Sequence, residues 1–183
     1  MGLTPFPADL VLKLARVYGA TAFVETGTFH GATAAWAAEH FGTVHTIEVG
    51  ETRYHETSAA LAYVRNIAFH LGNSRDVLPK IVAMLNGQRA VYYLDGHWSG
   101  EGTDGEQDQC PLLGELACLS SDDIILIDDA RLFARDFNVP IPPLDLAQWP
   151  TMEQVLAAVP QGMVVSVVGD VIFAVPFSLK ELL

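Results

Sequence analysis

Positive charge is scarce in this chain. Ten lysines and arginines stand against 22 acidic residues over 183 positions, for a formal charge of −12 and a pI near 4.7. There is no basic run, so no nucleic-acid partner is expected, because phosphate binding needs a lysine and arginine footprint. Cysteine is nearly absent. Cys110 and Cys118 make neither a disulfide framework nor a zinc signature, and both read as reduced, with Cys118 in a core. No apolar stretch approaches the ~20 residues of a membrane span, so no membrane partner is expected. The opening "MGLTPFPADLVLKL" lacks a basic segment followed by an uninterrupted apolar one, and Phe6 stands where a myristoylation signal wants serine or threonine. These absences point to a cytoplasmic protein with a small-molecule substrate. Homo-oligomerisation stays open.

What the chain does have is apolar mass. Half its residues are hydrophobic and its mean hydropathy is +0.27. At this length one domain spanning 1–183 is expected, burying roughly 70% of its unfolded surface. Apolar β-rich runs alternate with helical patterns. The strands read as Thr21 to Glu25, Thr43 to Glu48, Ile67 to Gly72, Ala90 to Asp95 and Asp123 to Asp128. Between and before them lie helical stretches, beginning with an N-terminal helix inside 1–19. Alternation of this kind argues for parallel βαβ units covered on both faces, which is an α/β, doubly wound, Rossmann-like sheet. The end of the chain breaks the pattern. Met163 to Val168 and Val171 to Val175 are separated only by Gly169-Asp170, which suits a tight antiparallel hairpin. Residues 131–150, with prolines at 140, 142, 143 and 150, read as an irregular insertion.

Chemistry gathers at the predicted strand ends. After the first strand, "VETGTFHGAT" places Gly27 and Gly31 around a turn into a helix. Glycine lets the backbone turn sharply and approach a ligand, and the helix start offers free N–H donors. Glu48 ends the second strand, where a carboxylate can accept both hydroxyls of a ribose. Asp95 ends the fourth strand in "YYLDGHWSG", and Asp128-Asp129 end the fifth. Neighbouring strands lie ~4.8 Å apart, so these acids can converge, and converging carboxylates need a cation between them. All-oxygen ligation by Asp95, Asp128 and Asp129 suits Mg²⁺ or Ca²⁺. His97, with an ordinary pKa near 6.5, is the nearest candidate for a general base.

This arrangement resembles the class I S-adenosylmethionine-dependent methyltransferases over about residues 20–177. The motifs that carry the resemblance are E-x-G-x-x-x-G after the first strand, Glu48, "LGNSRDVLP" and the terminal hairpin. It implies the strand order 3-2-1-4-5-7-6. It also implies S-adenosyl-L-methionine as cofactor, with Glu25, Gly27, Thr28 and Gly31 in the cofactor loop and Glu48 on the ribose. Asn73 and Ser74 would then lie near the adenine, and Asp95 beside the cofactor. "LDGHW", "LLGEL" and "ILIDD" are further similar to the metal-dependent O-methyltransferases of the catechol and caffeoyl-coenzyme A type. In those, three strand-end residues bind Mg²⁺ and a lysine removes the hydroxyl proton. This chain has Ser99 and Gly100 after His97-Trp98 and lacks that lysine. The implied activity is O-methylation of a small hydroxylated metabolite, with His97 and Asp95 as catalytic residues. Residues 99–109 and 140–149 would form the substrate walls. Two rivals remain: a non-catalytic domain of the same fold, and an NAD-dependent oxidoreductase, which the antiparallel hairpin disfavours.

Overall fold

The computed structural model describes residues 6–100, 102–136 and 143–183. Seven strands form one sheet in the order β3-β2-β1-β4-β5-β7-β6. They are β1 (Ala22–Thr26), β2 (Thr43–Glu48), β3 (Ile67–Leu71), β4 (Ala90–Leu94), β5 (Ile124–Ile127), β6 (Met163–Val168) and β7 (Val171–Pro176). β1 to β5 pair in parallel, whereas β7 runs antiparallel to β5 and β6 antiparallel to β7. The expected order and the terminal hairpin are both present.

Among the described residues, seven α-helices cover the sheet: α1 (Ala8–Tyr18), α2 (Ala32–Ala38), α3 (Glu51–Ala60), α4 (Ser74–Leu85), α5 (Leu112–Leu116), α6 (Ala130–Phe133) and α7 (Met152–Ala158). On one face Leu78 and Ile81 of α4, Leu116 of α5 and Val155 of α7 pack against Ile125, Ile127 and Ile172. On the other, Val11 and Leu14 of α1 and Ala34 and Ala37 of α2 pack against Phe23, Val44 and Phe173. Every residue of β1, β4, β5 and β7 is buried. That explains the near-continuous apolar runs in β4, β5 and β7, because strands covered on both faces need no polar alternation.

α3 stops at Ala60, because the chain must turn back for β3. Asn66 pins that turn by donating to the carbonyls of Ala38 and Phe41 at 2.9 and 3.0 Å. Asn73 caps α4; its side chain accepts from the Arg75 N–H at 2.9 Å. Cys110 is the buried thiol and Cys118 is half-buried at the core's edge, both free. Among the described residues no helix is long and apolar enough to cross a membrane.

At the β2–β3 edge, His45 and His70 stack with ring centroids 5.3 Å apart, their Nδ1 and Nε2 atoms 3.0 Å apart. Desolvation lowers both pKa values, and the neighbouring ring lowers that of His45 further. Both rings are therefore neutral when folded, at a pH where the unfolded chain already binds protons. Their contribution is complete above about pH 6.5 and is lost as pH falls below it. Relative to wild type, His70→Gln should become progressively more stable between about pH 7.5 and 5 in thermal melts. A difference that does not vary with pH would contradict this.

Candidate functional site

The carboxyl ends of β1, β2, β4 and β5 open onto a cavity of about 380 Å³. That lies within the usual size range of small-molecule sites, ~300–1,000 Å³. Gly27 turns the chain out of β1 with φ of 83°, and a side chain there would collide with the carbonyl oxygen of Asp95. The glycine loop and the end of β4 therefore touch backbone to backbone, leaving the cavity between them. Gly31 opens α2 with φ of 74°, and a Cβ would meet Leu61 and Thr57 at 2.7 Å. Its absent side chain serves helix packing, not the cavity.

Glu48 lies at the end of β2 and faces the cavity. Its Oε1 accepts from the Gly50 N–H at 3.0 Å and its Oε2 from the Phe29 N–H at 2.9 Å. Both oxygens are thus oriented by backbone, and each keeps a further lone pair for a ligand hydroxyl. Glu25 and Thr28 do not line the cavity. Glu25 accepts from the Thr46 hydroxyl at 2.7 Å, and that hydroxyl meets Thr28 Oγ1 at 2.5 Å. Burial, then the nearby Asp95 and Glu48, push Glu25 up to about 8, against the Thr46 bond. These residues brace the loop from behind. Ser74 lines the cavity, whereas Asn73 caps α4 and donates to Asp108 at 3.0 Å.

Two cavity residues carried no signal in the sequence. Phe29 adopts φ of 47°, which leaves its ring 48% exposed at the cavity, where Arg53 of α3 lies over it at 5.0 Å. A bulky residue in the left-handed region is uncommon and concentrates at functional positions. Ser99, Gly102, Thr103 and Asp104 form one wall, as expected of the 99–109 loop. The described part of the second expected wall, 143–149, does not reach the cavity. Trp149 instead packs under the His97 ring at 5.2 Å, and Gln109 accepts from its indole N–H at 3.1 Å. Residues 140–142 lie outside the described residues.

The acidic floor is organised by protein cations. His97 is buried, with Nε2 at 2.9 Å from Asp129 Oδ2 and Nδ1 at 3.6 Å from Asp95 Oδ1. Burial works against its charged form, but the bond to Asp129 and the charges of Asp95, Asp129 and Asp128 prevail and raise it to about 9. These contacts favour the imidazolium, with Nε2 and Nδ1 both turned to carboxylates. That geometry suits a positioning cation better than the general base expected of His97. Asp129, left-handed at φ of 55°, also meets Arg131 Nη1. Burial would raise its pKa, yet His97 and Arg131 hold it down at about 2. Asp128 takes a hydrogen bond from Tyr93; burial and then Asp129 raise its pKa. Asp95 faces the cavity with its side chain 34% exposed; burial raises its pKa, opposed first by His97. Behind this turn, Glu115 of α5 is buried with Oε1 unpartnered, bonding Ser74 and Thr26 and lying against Gly96.

This donor set does not fit a divalent ion. Asp129 has already been neutralised by His97 and Arg131. Among the described residues, no group of three His, Cys, Asp or Glu is arranged to hold a metal. Mg²⁺ or Ca²⁺ on Asp95, Asp128 and Asp129 is accordingly not carried forward.

No protein-family model matches the chain, and no curated protein matches it in sequence. Solved structures do match its fold. Aeropyrum pernix fibrillarin, in complex with natively bound S-adenosyl-L-methionine, is 17% identical over 90% of this chain and 74% of its own, with a TM-score of 0.56. A Staphylococcus aureus protein provisionally described as a caffeoyl-CoA O-methyltransferase is 15% identical over 91% and 81%, with a TM-score of 0.55. Human N-acetylserotonin methyltransferase, in complex with SAM, is 12% identical over 92% of this chain at a TM-score of 0.53; the chain spans 51% of its length. At these identities the likeness establishes a shared fold.

Proposed function

We propose that this protein is an S-adenosylmethionine-dependent methyltransferase acting on an oxygen of a small hydroxylated acceptor. The observation that carries the reading is the convergence of three features on one cavity: the left-handed turn at Gly27, the backbone-oriented carboxylate of Glu48 and the cavity-facing Asp95. Two of the three structures of like fold described above contain the cofactor. The residues fit it: Glu48 would hold the ribose hydroxyls, the turn at Gly27 gives the methionine portion backbone clearance, and Ser74 would flank the adenine. Bound there, the cofactor would supply an electrophilic sulfonium methyl open to in-line attack by an acceptor oxygen, with S-adenosylhomocysteine as the leaving group.

The chain's own contribution is positioning and a base. Asp95 takes the acceptor's hydroxyl proton, because among the acids at the ends of β4 and β5 it lines the cavity with its side chain 34% exposed, against 12% for Asp129. His97 and Asp129 fix its surroundings. A methyl-release screen with S-adenosylmethionine over catechols, sugars and small hydroxylated metabolites tests the reading. Turnover on at least one hydroxylated class is expected. Turnover confined to amines or thiols would contradict the oxygen assignment. Cofactor binding without turnover across the panel would favour a non-catalytic domain of this fold.

A further inference from the structure

The terminal hairpin reaches back into the site. Its turn carries Asp170, whose carboxylate binds Arg131 twice: Oδ1 accepts the Arg131 backbone N–H at 2.9 Å, and Oδ2 pairs with the guanidinium. The Asp170 carbonyl accepts from the Ala130 N–H at 2.8 Å, so the turn is fixed to the start of α6 by three contacts. From that anchor Arg131 Nη1 reaches Asp129 Oδ1, while His97 takes Asp129 Oδ2. A continuous row, Asp170–Arg131–Asp129–His97–Asp95, therefore runs from the hairpin to the cavity. Its inner members are shielded from water: side-chain exposure is 17% for Arg131, 12% for Asp129, 14% for Asp170 and 5% for His97. Charges this enclosed are weakly screened and must be balanced within the protein.

We propose that Arg131, fixed by Asp170, is a built-in cation of this acidic floor, supplying through Asp129 positive charge that a divalent ion would otherwise bring, so that the site works without one. This rests on reading the cavity as the methyl-transfer site. Three strand-end acids at one point demand positive charge. A guanidinium meets that demand with a planar fork that stays charged at any physiological pH, whereas a bound ion would depend on its concentration outside. Arg131 has no contact with the cavity and so is a positioning residue: it holds Asp129, which holds His97 beside Asp95.

The test is metal response, read by thermal melts with MgCl₂, CaCl₂ or EDTA, independently of turnover. Wild type should shift by less than about 1 °C at about 10 mM of either salt. Arg131→Gln leaves Asp170 without its cation and Asp129 with His97 alone, and should gain a saturable rise of about 5 °C or more with either ion. Arg131→Lys, which restores the charge, should return to indifference. A saturable rise in wild type overturns the proposal whether or not the variants fold, and so does a folded Arg131→Gln indifferent to both ions. S-adenosylhomocysteine titration of the same samples keeps the two readings apart. Loss of cofactor binding in wild type would refute the methyltransferase reading and leave the metal result standing on its own.

Discussion

Glu48→Ala should weaken S-adenosylhomocysteine binding by about 100-fold, equivalent to about 2.7 kcal/mol. Two losses add. The variant removes the carboxylate that would accept the ribose hydroxyls, and hydrogen bonds to a charged group are worth about 1.5–3 kcal/mol each. It also releases the N–H groups of Phe29 and Gly50, which Glu48 now holds at 2.9 and 3.0 Å. The turn after β1 and the entry to α3 would both lose their common anchor. Glu48→Gln separates the two losses. An amide keeps one acceptor oxygen, so it should bind more weakly than wild type and more tightly than alanine. Calorimetric Kd values for the three proteins decide the matter, and an alanine variant within threefold of wild type would contradict the ribose role.

Asp95→Asn should reduce methyl transfer by about 1,000-fold, the middle of the range for a general base, while cofactor affinity stays within about tenfold of wild type. The substitution is isosteric and leaves the Asp95 N–H bonded to Thr26, so the turn against Gly27 persists. What goes is the carboxylate of the row whose side chain is most open to the cavity, 34% exposed against 12% for Asp129. Equal losses in kcat and kcat/KM are expected, because the interaction operates in the transition state. A variant that keeps a tenth of wild-type turnover would move the base elsewhere.

How much of this was legible in the sequence depended on distance along the chain. β2 and β6 were read to the residue, and β4 and β5 to within one, because short runs rich in apolar and β-branched residues, bounded by turn or polar residues, leave a strong local signal. The meeting of Gly27, Glu48 and Asp95 was legible too: in a parallel sheet successive strand ends share one edge, so local motifs suffice to bring them together. The Arg131–Asp170 clamp was not. Thirty-nine residues separate the two, and only the antiparallel pairing of β7 with β5, Ile127 opposite Ile172, brings them into contact. The surroundings of His97 were hidden for the same reason. Its tryptophan floor and its two acid neighbours come from different elements, so its ordinary pKa was no guide. The left-handed backbone at Phe29 and Asp129 likewise left no mark, since neither residue type announces it.

The central claim is that the cavity beside Glu48 and Asp95 receives S-adenosylmethionine. Calorimetric titration of the wild-type protein with S-adenosylhomocysteine, and in parallel with NAD⁺, tests it most directly. One site per chain with micromolar affinity for S-adenosylhomocysteine and no heat from NAD⁺ is the predicted result. Binding of NAD⁺, or silence with S-adenosylhomocysteine from a folded sample, would contradict it.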